Sequence, residues 1–239
     1  MTKYLKYIGI IFVIALVTCL LTLGKTEQKS QTITLGADSG ADSPGTMADD
    51  DAVGTVEWIN PDNAKTSNDT YTTATNSSIE YDDSSSNYLK ATNFGFSIPS
   101  GATIDGIKVE VEMKANYEND PLSVNASYYN RIKLIKGGVI SGDPENGDSP
   151  YFFPTTEAYK IFGGDSSLWG NSFSYSDINS SDFGVSILTS LSTNNAYNET
   201  SYTIIASIDH IRITVYYTEA TVATLTGIQT IQGLSTITL

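Results

Sequence analysis

The chain has 239 residues, with 13 Lys and Arg against 27 Asp and Glu, a formal net charge of −14, one cysteine and one histidine. A surface that acidic repels phosphate backbones, whose affinity for proteins comes mainly from Lys and Arg, and so argues against a nucleic-acid partner. Cys19 lies in the N-terminal apolar run, which leaves the body without a disulfide or thiolate metal site, and His210 alone cannot supply a site that needs two imidazoles.

Residues 1–24 read as a targeting segment. Lys3 and Lys6 precede the uncharged run from Tyr7 to Gly24, the basic start and apolar stretch of an export signal. Thr22-Leu-Gly24 offers a small-x-small cleavage site, and Leu16-Val-Thr-Cys19 vaguely resembles a lipoprotein box. At about 18 residues the run is also long enough to remain as an apolar anchor helix across a bilayer. All three readings export the remainder, to an extracellular or cell-surface location, with the membrane touched only by this segment.

Residues 25–52 read as a flexible acidic linker. Gly36-Ala-Asp-Ser-Gly-Ala-Asp-Ser-Pro-Gly45 is small and polar, and Asp49-Asp-Asp51 repels itself. Such a segment buries too little apolar surface to order itself.

The folded body is expected over residues 53–218. Its clearest signal is Ile98-Pro-Ser-Gly-Ala-Thr-Ile-Asp-Gly-Ile-Lys-Val-Glu-Val-Glu-Met113. A Pro/Gly turn runs into a two-residue alternation that puts Ile107, Val109, Val111 and Met113 on one face, with Lys108, Glu110, Glu112 and Lys114 on the other. The pattern returns in Ile211, Ile213, Val215 and Tyr217 against His210, Arg212, Thr214 and Tyr216. Further strands are expected at 53–58, 88–98, 128–136, 183–191 and 202–217, each bounded by turn-forming residues. The fold class is therefore all-β, an antiparallel sandwich. Between 141 and 179 lies a long irregular stretch of turn formers and aromatics, a length that compact domains rarely keep without purpose or hidden structure.

Residues 219–239 form a hexad tail. Val222, Leu225, Ile228, Ile231, Leu234 and Ile237 recur every third residue, a period that belongs neither to a strand nor to a helix. The tail is expected to form strand and either to self-associate with other copies or to dock on an edge of its own domain.

Several residues offer chemistry. His210 sits beside Asp209 on an alternating strand and reads as a surface histidine, and no Gly-x-Ser-x-Gly elbow occurs. Glu110 and Glu112, roughly 7 Å apart on one strand face, match a glycosidase pair numerically. Alternation with Lys108 and Lys114 reads instead as a solvated face. Asp143-Pro-Glu-Asn-Gly-Asp148 is a flexible oxygen-rich loop, and Asp143, Glu145 and Asp148 are candidate ligands for a structural calcium. No other cofactor is expected. Stacking platforms for a surface glycan would come from the ring-rich 141–179 stretch, through Tyr151, Tyr159, Trp169 and Tyr175. Trp58 and Trp169 are both expected to be more than half buried.

The order Trp58-Ile-Asn-Pro-Asp-Asn-Ala64, Tyr88-Leu-Lys-Ala-Thr-Asn-Phe-Gly-Phe-Ser-Ile-Pro-Ser-Gly-Ala-Thr-Ile-Asp-Gly-Ile107, Leu168-Trp-Gly170, Asp177-Ile-Asn-Ser180, Phe183-Gly-Val185 and Ala206-Ser-Ile-Asp-His-Ile-Arg-Ile-Thr-Val-Tyr-Tyr217 resembles a module of uncharacterised bacterial surface and phage-associated β-sandwich proteins. The likeness spans about residues 53–218. More distantly, the Ile-Pro-x-Gly-Ala-x-Ile-x-x-Ile turn-strand is similar to one in secreted jelly-roll carbohydrate-binding modules, which implies a jelly roll and, by analogy, sugar binding. The resulting expectation is a non-enzymatic exported module that binds glycan or a protein at the cell surface. A structural or assembly subunit using the tail (fibre, filament or phage-tail-like) is the alternative, and a glycan-active hydrolase a further one.

Overall fold

The computed structural model describes residues 30–78, 82–118, 131–145, 153–193 and 202–224. The apolar segment 1–24, Asp148, Tyr151 and the tail beyond Thr224 lie outside the described residues. Thr34–Ala220 form one compact unit, and 30–33 and 221–224 are the described ends of a second.

The described strands, in chain order, are β1 (Ser30–Asp42), β2 (Thr46–Asp50), β3 (Thr72–Ser78), β4 (Asp82–Ser85), β5 (Tyr88–Thr92), β6 (Thr103–Glu118), β7 (Arg131–Lys136), β8 (Val139–Glu145), β9 (Ala158–Gly164), β10 (Gly184–Leu188), β11 (Ser190–Thr193) and β12 (Tyr202–Thr224). A 3-10 turn at Pro61–Ala64 and a short helix α1 (Tyr175–Ile178) complete the set. One sheet runs β1-β12-β6-β9, with β3 also paired to β12, and the other runs β2-β5-β10-β7-β8. The paired registers of both sheets are antiparallel. Because β6 occupies one side of β12 from Thr203 to Thr218, β1 and β3 must share its other side in succession.

The alternation in β6 and β12 buries as expected. Ile107, Val109, Val111, Met113, Ile211, Ile213 and Val215 are all fully buried, and they share one core with Leu89, Ala91, Ile132, Leu134, Val185 and Ile187 of the second sheet. Two antiparallel sheets closing on one core make an all-β sandwich. Burial of each large aliphatic side chain contributes about 1.5–3 kcal/mol, so the alternation itself holds the register. The indoles lock two corners of this core. Trp58 donates from Nε1 to the Asn87 carbonyl at 3.0 Å, and Trp169 to the Ile107 carbonyl at 2.9 Å.

Several boundaries differ from expectation. Residues 30–50 are not a linker through their length, since β1 and β2 lie within them. A small polar segment cannot make its own core, but strand pairing needs only backbone groups and a neighbouring sheet to supply partners. Met47 is buried, and Asp49 accepts from the Trp58 backbone N–H and the Asn87 amide. The stretch 53–58 makes isolated bridging contacts instead of a strand. The expected strand 183–191 breaks at Thr189, which exchanges hydrogen bonds with Ser86 and passes the chain from β10 to β11. The supposed loop 141–179 contains the end of β8, β9 and α1.

Candidate functional site

The face of β6 and β12 turned away from the core carries the chemistry. Cross-strand pairing sets up the rows Tyr216–Gly106, Thr214–Lys108, Arg212–Glu110 and His210–Glu112, and β9 adds Ile161 opposite Glu110 and Tyr159 opposite Glu112. The β6–β12 ladder is interrupted twice, between Ile208 and His210 and between Tyr216 and Tyr217. Asp209 is the extra residue of the first bulge, on β12, and Asp105 that of the second, on β6. A bulge re-aims a side chain and ends regular pairing, so each places an aspartate where alternation would not.

At the second bulge the face opens into a cleft of about 290 Å³ lined by Gly36, Ala37, Asp38, Asp105, Asp165, Tyr216 and Tyr217. Gly106 makes it possible. A Cβ there would meet the Asp165 carbonyl carbon at 2.3 Å, so only glycine lets the chain leaving β9 cross the sheet and stand Asp165 beside Tyr216. Asp105 accepts a 2.6 Å hydrogen bond from the Thr218 hydroxyl, which fixes one of its oxygens. Tyr217 also packs on the core. Tyr216 lies on the outward face, beside a residue with no side chain, and is half-buried. An aromatic ring rimmed by carboxylates in a small concavity has the stacking surface and polar fixing points that sugar recognition requires.

The first bulge is closed. Asp209 is 1% exposed, and its carboxylate accepts from three successive backbone amides, Asn68 at 2.9 Å, Asp69 at 3.2 Å and Thr70 at 3.1 Å. Asp69 holds a left-handed φ of 60°, the kind of turn that points consecutive N–H groups at one anion. Lys65 bridges to the His210 backbone. The His210 ring joins the Ser43 hydroxyl at Nε2 and the Tyr159 hydroxyl at Nδ1, each at 2.8 Å. Burial, and then the charge of Arg212, hold this imidazole below its usual range against Glu112, Asp209 and Glu110. Burial and a hydrogen bond to Glu112 raise the Tyr159 phenol. With Tyr159 donating to Glu112, its oxygen is free to accept from Nδ1–H, and Ser43 then donates to Nε2.

The Arg212 guanidinium stacks 4.2 Å from the Tyr159 ring centroid and donates to Glu110 at 3.0 Å, and Lys108 meets the other oxygen of Glu110 at 3.1 Å. Burial would raise the Glu110 carboxyl, but the hydrogen bonds from Arg212 and Lys108 outweigh it and hold it low. Glu110 is only 7% exposed, so the solvated face read from alternation is corrected here: the side chains of Arg212 and Lys108, which bind it, and of Tyr159 on β9, on which Arg212 stacks, shield it. His210, read as a surface residue, is likewise buried at 8% exposure, beneath the 64–70 segment and Ser43. Two atoms in this network, Glu112 Oε2 and Arg212 Nε, are buried without a hydrogen-bond partner.

The residues singled out for ligand stacking do not gather. Trp169 is 1% exposed with its indole spent on Ile107, so it offers no ring face to a ligand. Tyr159 is engaged by His210, Glu112 and Arg212. Tyr175 is 36% exposed in α1, next to Ser174, which bridges Thr103. Tyr159 pairs with Glu112, nine positions further along β6 and so roughly 30 Å away at a strand's rise. Of the calcium candidates, Asp143 is exposed and packs its carboxylate against Gly170. The Glu145 backbone pairs with Ile132 at the end of β8. Among the described residues, the one acidic trio with oxygens within 4.8 Å of one another is Asp69, Glu157 and Asp209. Its members already have partners, since Glu157 accepts from Tyr71 and Lys114. Sequence reasoning missed Tyr216, Asp105 and Asp165 as a group. The available signal was Asp105-Gly106 inside a strand pattern, where an isolated glycine marks a bulge or a close backbone approach.

No protein-family model matches the chain, and a search of curated proteins found no match.

Proposed function

We propose that this protein is an exported, non-enzymatic cell-surface module that binds glycan at the Tyr216 cleft. The observation that carries the reading is the conjunction of an outward tyrosine, a glycine-permitted backbone crossing and three aspartates around one shallow, open depression of about 290 Å³, the form of a surface site that meets one face of a sugar rather than enclosing it. The mechanism is passive: the sheet places Tyr216, and Thr218 holds Asp105, before a ligand arrives, so less ordering entropy opposes binding. The basic, apolar 1–24 segment supports export. A jelly-roll fold is supported by strand order, since β3-β12-β6-β9 over β5-β10-β7-β8 is the layout of eight strands wound as two interleaved Greek keys.

The test is an array of soluble oligosaccharides followed by titration calorimetry on hits. Tyr216→Ala is expected to weaken binding about tenfold, on the scale of one lost aromatic contact. Binding unchanged in that variant, or no binding across the array, overturns the reading.

One observation favours a second role in assembly. β12 continues as strand to Thr224, past the expected end at Tyr217 and into the hexad tail. A discrete oligomer of the full chain that becomes monomeric when the chain ends at Thr224 is the expected result, and equal solution masses would remove this role.

A further inference from the structure

The row that crosses the sheet at His210 holds a nucleophile that the Tyr216 cleft does not use. Ser43 follows β1 and is exposed, whereas His210 on β12 is buried at 8% exposure. The Ser43 hydroxyl lies 2.8 Å from Nε2 of that imidazole. Six residues separate His210 from Tyr216 along β12, so this hydroxyl and the cleft stand roughly 20 Å apart at a strand's rise.

A serine hydroxyl becomes a nucleophile when an unprotonated ring nitrogen is placed to take its proton. The proton of the neutral imidazole must then sit on Nδ1. Tyr159 fixes it there, because its own hydroxyl proton goes to Glu112 and its oxygen accepts from Nδ1–H at 2.8 Å. Burial and the Arg212 charge keep the ring uncharged, and the carboxylates of Glu112, Asp209 and Glu110 stabilise the imidazolium that forms when the proton arrives. The hydroxyl is also held still. Pro44 is buried with its φ fixed by the pyrrolidine ring, and the Gly45 N–H donates to the Asn93 carbonyl at 2.9 Å.

The same two residues limit the chemistry. Where a serine nucleophile sits on a sharp elbow, the N–H of the residue after it stabilises the oxyanion. Here that residue is Pro44, which has no N–H, and the next N–H is spent on Asn93. General-base help alone contributes about 10²–10⁴-fold, enough for an acyl donor with a good leaving group and too little for an ordinary ester. An ester formed at Ser43 is itself an ordinary ester, so it persists.

We propose that Ser43 is an O-acylation site, with His210 as its general base, that takes one acyl group from an activated donor of the thioester or aryl-ester class. The bond from Ser43 Oγ to the acyl carbon forms as the bond from that carbon to the leaving group breaks. The hydroxyl proton passes to His210 Nε2 and from there to the leaving thiolate or phenolate. The chain is modified once and does not turn over. This goes beyond the glycan reading and does not depend on it.

The test is incubation of the full chain with p-nitrophenyl acetate, followed by mapping of acetylated peptides, with neutral hydroxylamine separating esters from lysine amides. The expected result is one hydroxylamine-labile acetyl group on the peptide carrying Ser43, formed at least about a hundredfold faster than on N-acetylserinamide. It remains after the reagent is removed. Ser43→Ala abolishes it. His210→Gln lowers its rate to that of the free serine amide with the hydroxyl still in place, and Tyr159→Phe, which releases the tautomer, slows it severalfold. Thermal unfolding at the parental temperature establishes that each variant is folded, and Tyr159→Phe carries the test should His210→Gln not fold. Acetylation of Ser43 no faster than the free amide, or equally fast in both folded variants, overturns the proposal. Continued release of nitrophenolate without an accumulating acyl group also overturns it, since the chain would then be a hydrolase.

Discussion

The β6–β12 ladder carries two bulges, each presenting an aspartate, and the two have opposite fates. Asp209 is swallowed: three backbone amides of the 68–70 turn satisfy its carboxylate, and Lys65, Ser43 and Tyr159 close over the neighbouring histidine. Asp105 keeps one hydrogen bond, from Thr218, and otherwise faces a cleft with Asp38, Asp165 and Tyr216. The same local device serves stability where a turn covers it and leaves a carboxylate on the surface where none does. The difference lies in what covers the bulge. A turn with a left-handed residue supplies donors to Asp209, whereas the chain crossing at Gly106 brings a further carboxylate toward Asp105.

The sharpest way to break this comparison is at the closed end. Asp209→Ala leaves three amides without their shared acceptor, and the expected loss is about 3 kcal/mol, the range for orphaning buried donors to a charged partner. Urea unfolding midpoints measure it, and a loss below about 1 kcal/mol would mean that the turn finds water instead. Next in size is Gly106→Ala. Its Cβ meets Asp165 backbone, and overpacking against backbone is expected to cost about 2 kcal/mol and to abolish cleft binding together. Unchanged binding in a folded Gly106→Ala protein would separate the crossing from the site.

Acidification probes the closed end more gently. The folded His210 titrates below its ordinary 6.5, so the unfolded chain takes up the proton first. Stability tied to this residue is then fully present above pH 6.5 and declines as the pH falls through that value toward the folded pKa. His210→Gln is expected to flatten the slope of stability against pH across that window, and an unaltered slope would assign it to other groups. The smallest effect on stability belongs to the open end. Asp105→Asn is expected to move the unfolding free energy by no more than about 0.5 kcal/mol, as for a surface polar change, while weakening glycan binding at the cleft. A large destabilisation there would make Asp105 a structural aspartate like Asp209.

Alternation alone determined the core of this protein. Ile107 to Met113 and Ile211 to Val215 had to face one way, because period two leaves a strand no other means of burying them, and the size of Trp58 and Trp169 made their burial expected. Tertiary structure decided the rest. Glu110 and His210 look solvated in any reading of β6 and β12 by themselves, and they are buried because partners far apart in sequence meet on that face, with Arg212 from β12, Lys108 and the β9 side chain of Tyr159 around Glu110, and Ser43 and the 64–70 segment against His210. The cleft is less legible still, since its lining comes from β1, β6, β12 and the exit of β9. Its geometry depends on a bulge, a one-residue slip in pairing that no single strand encodes and that exists only when two strands meet.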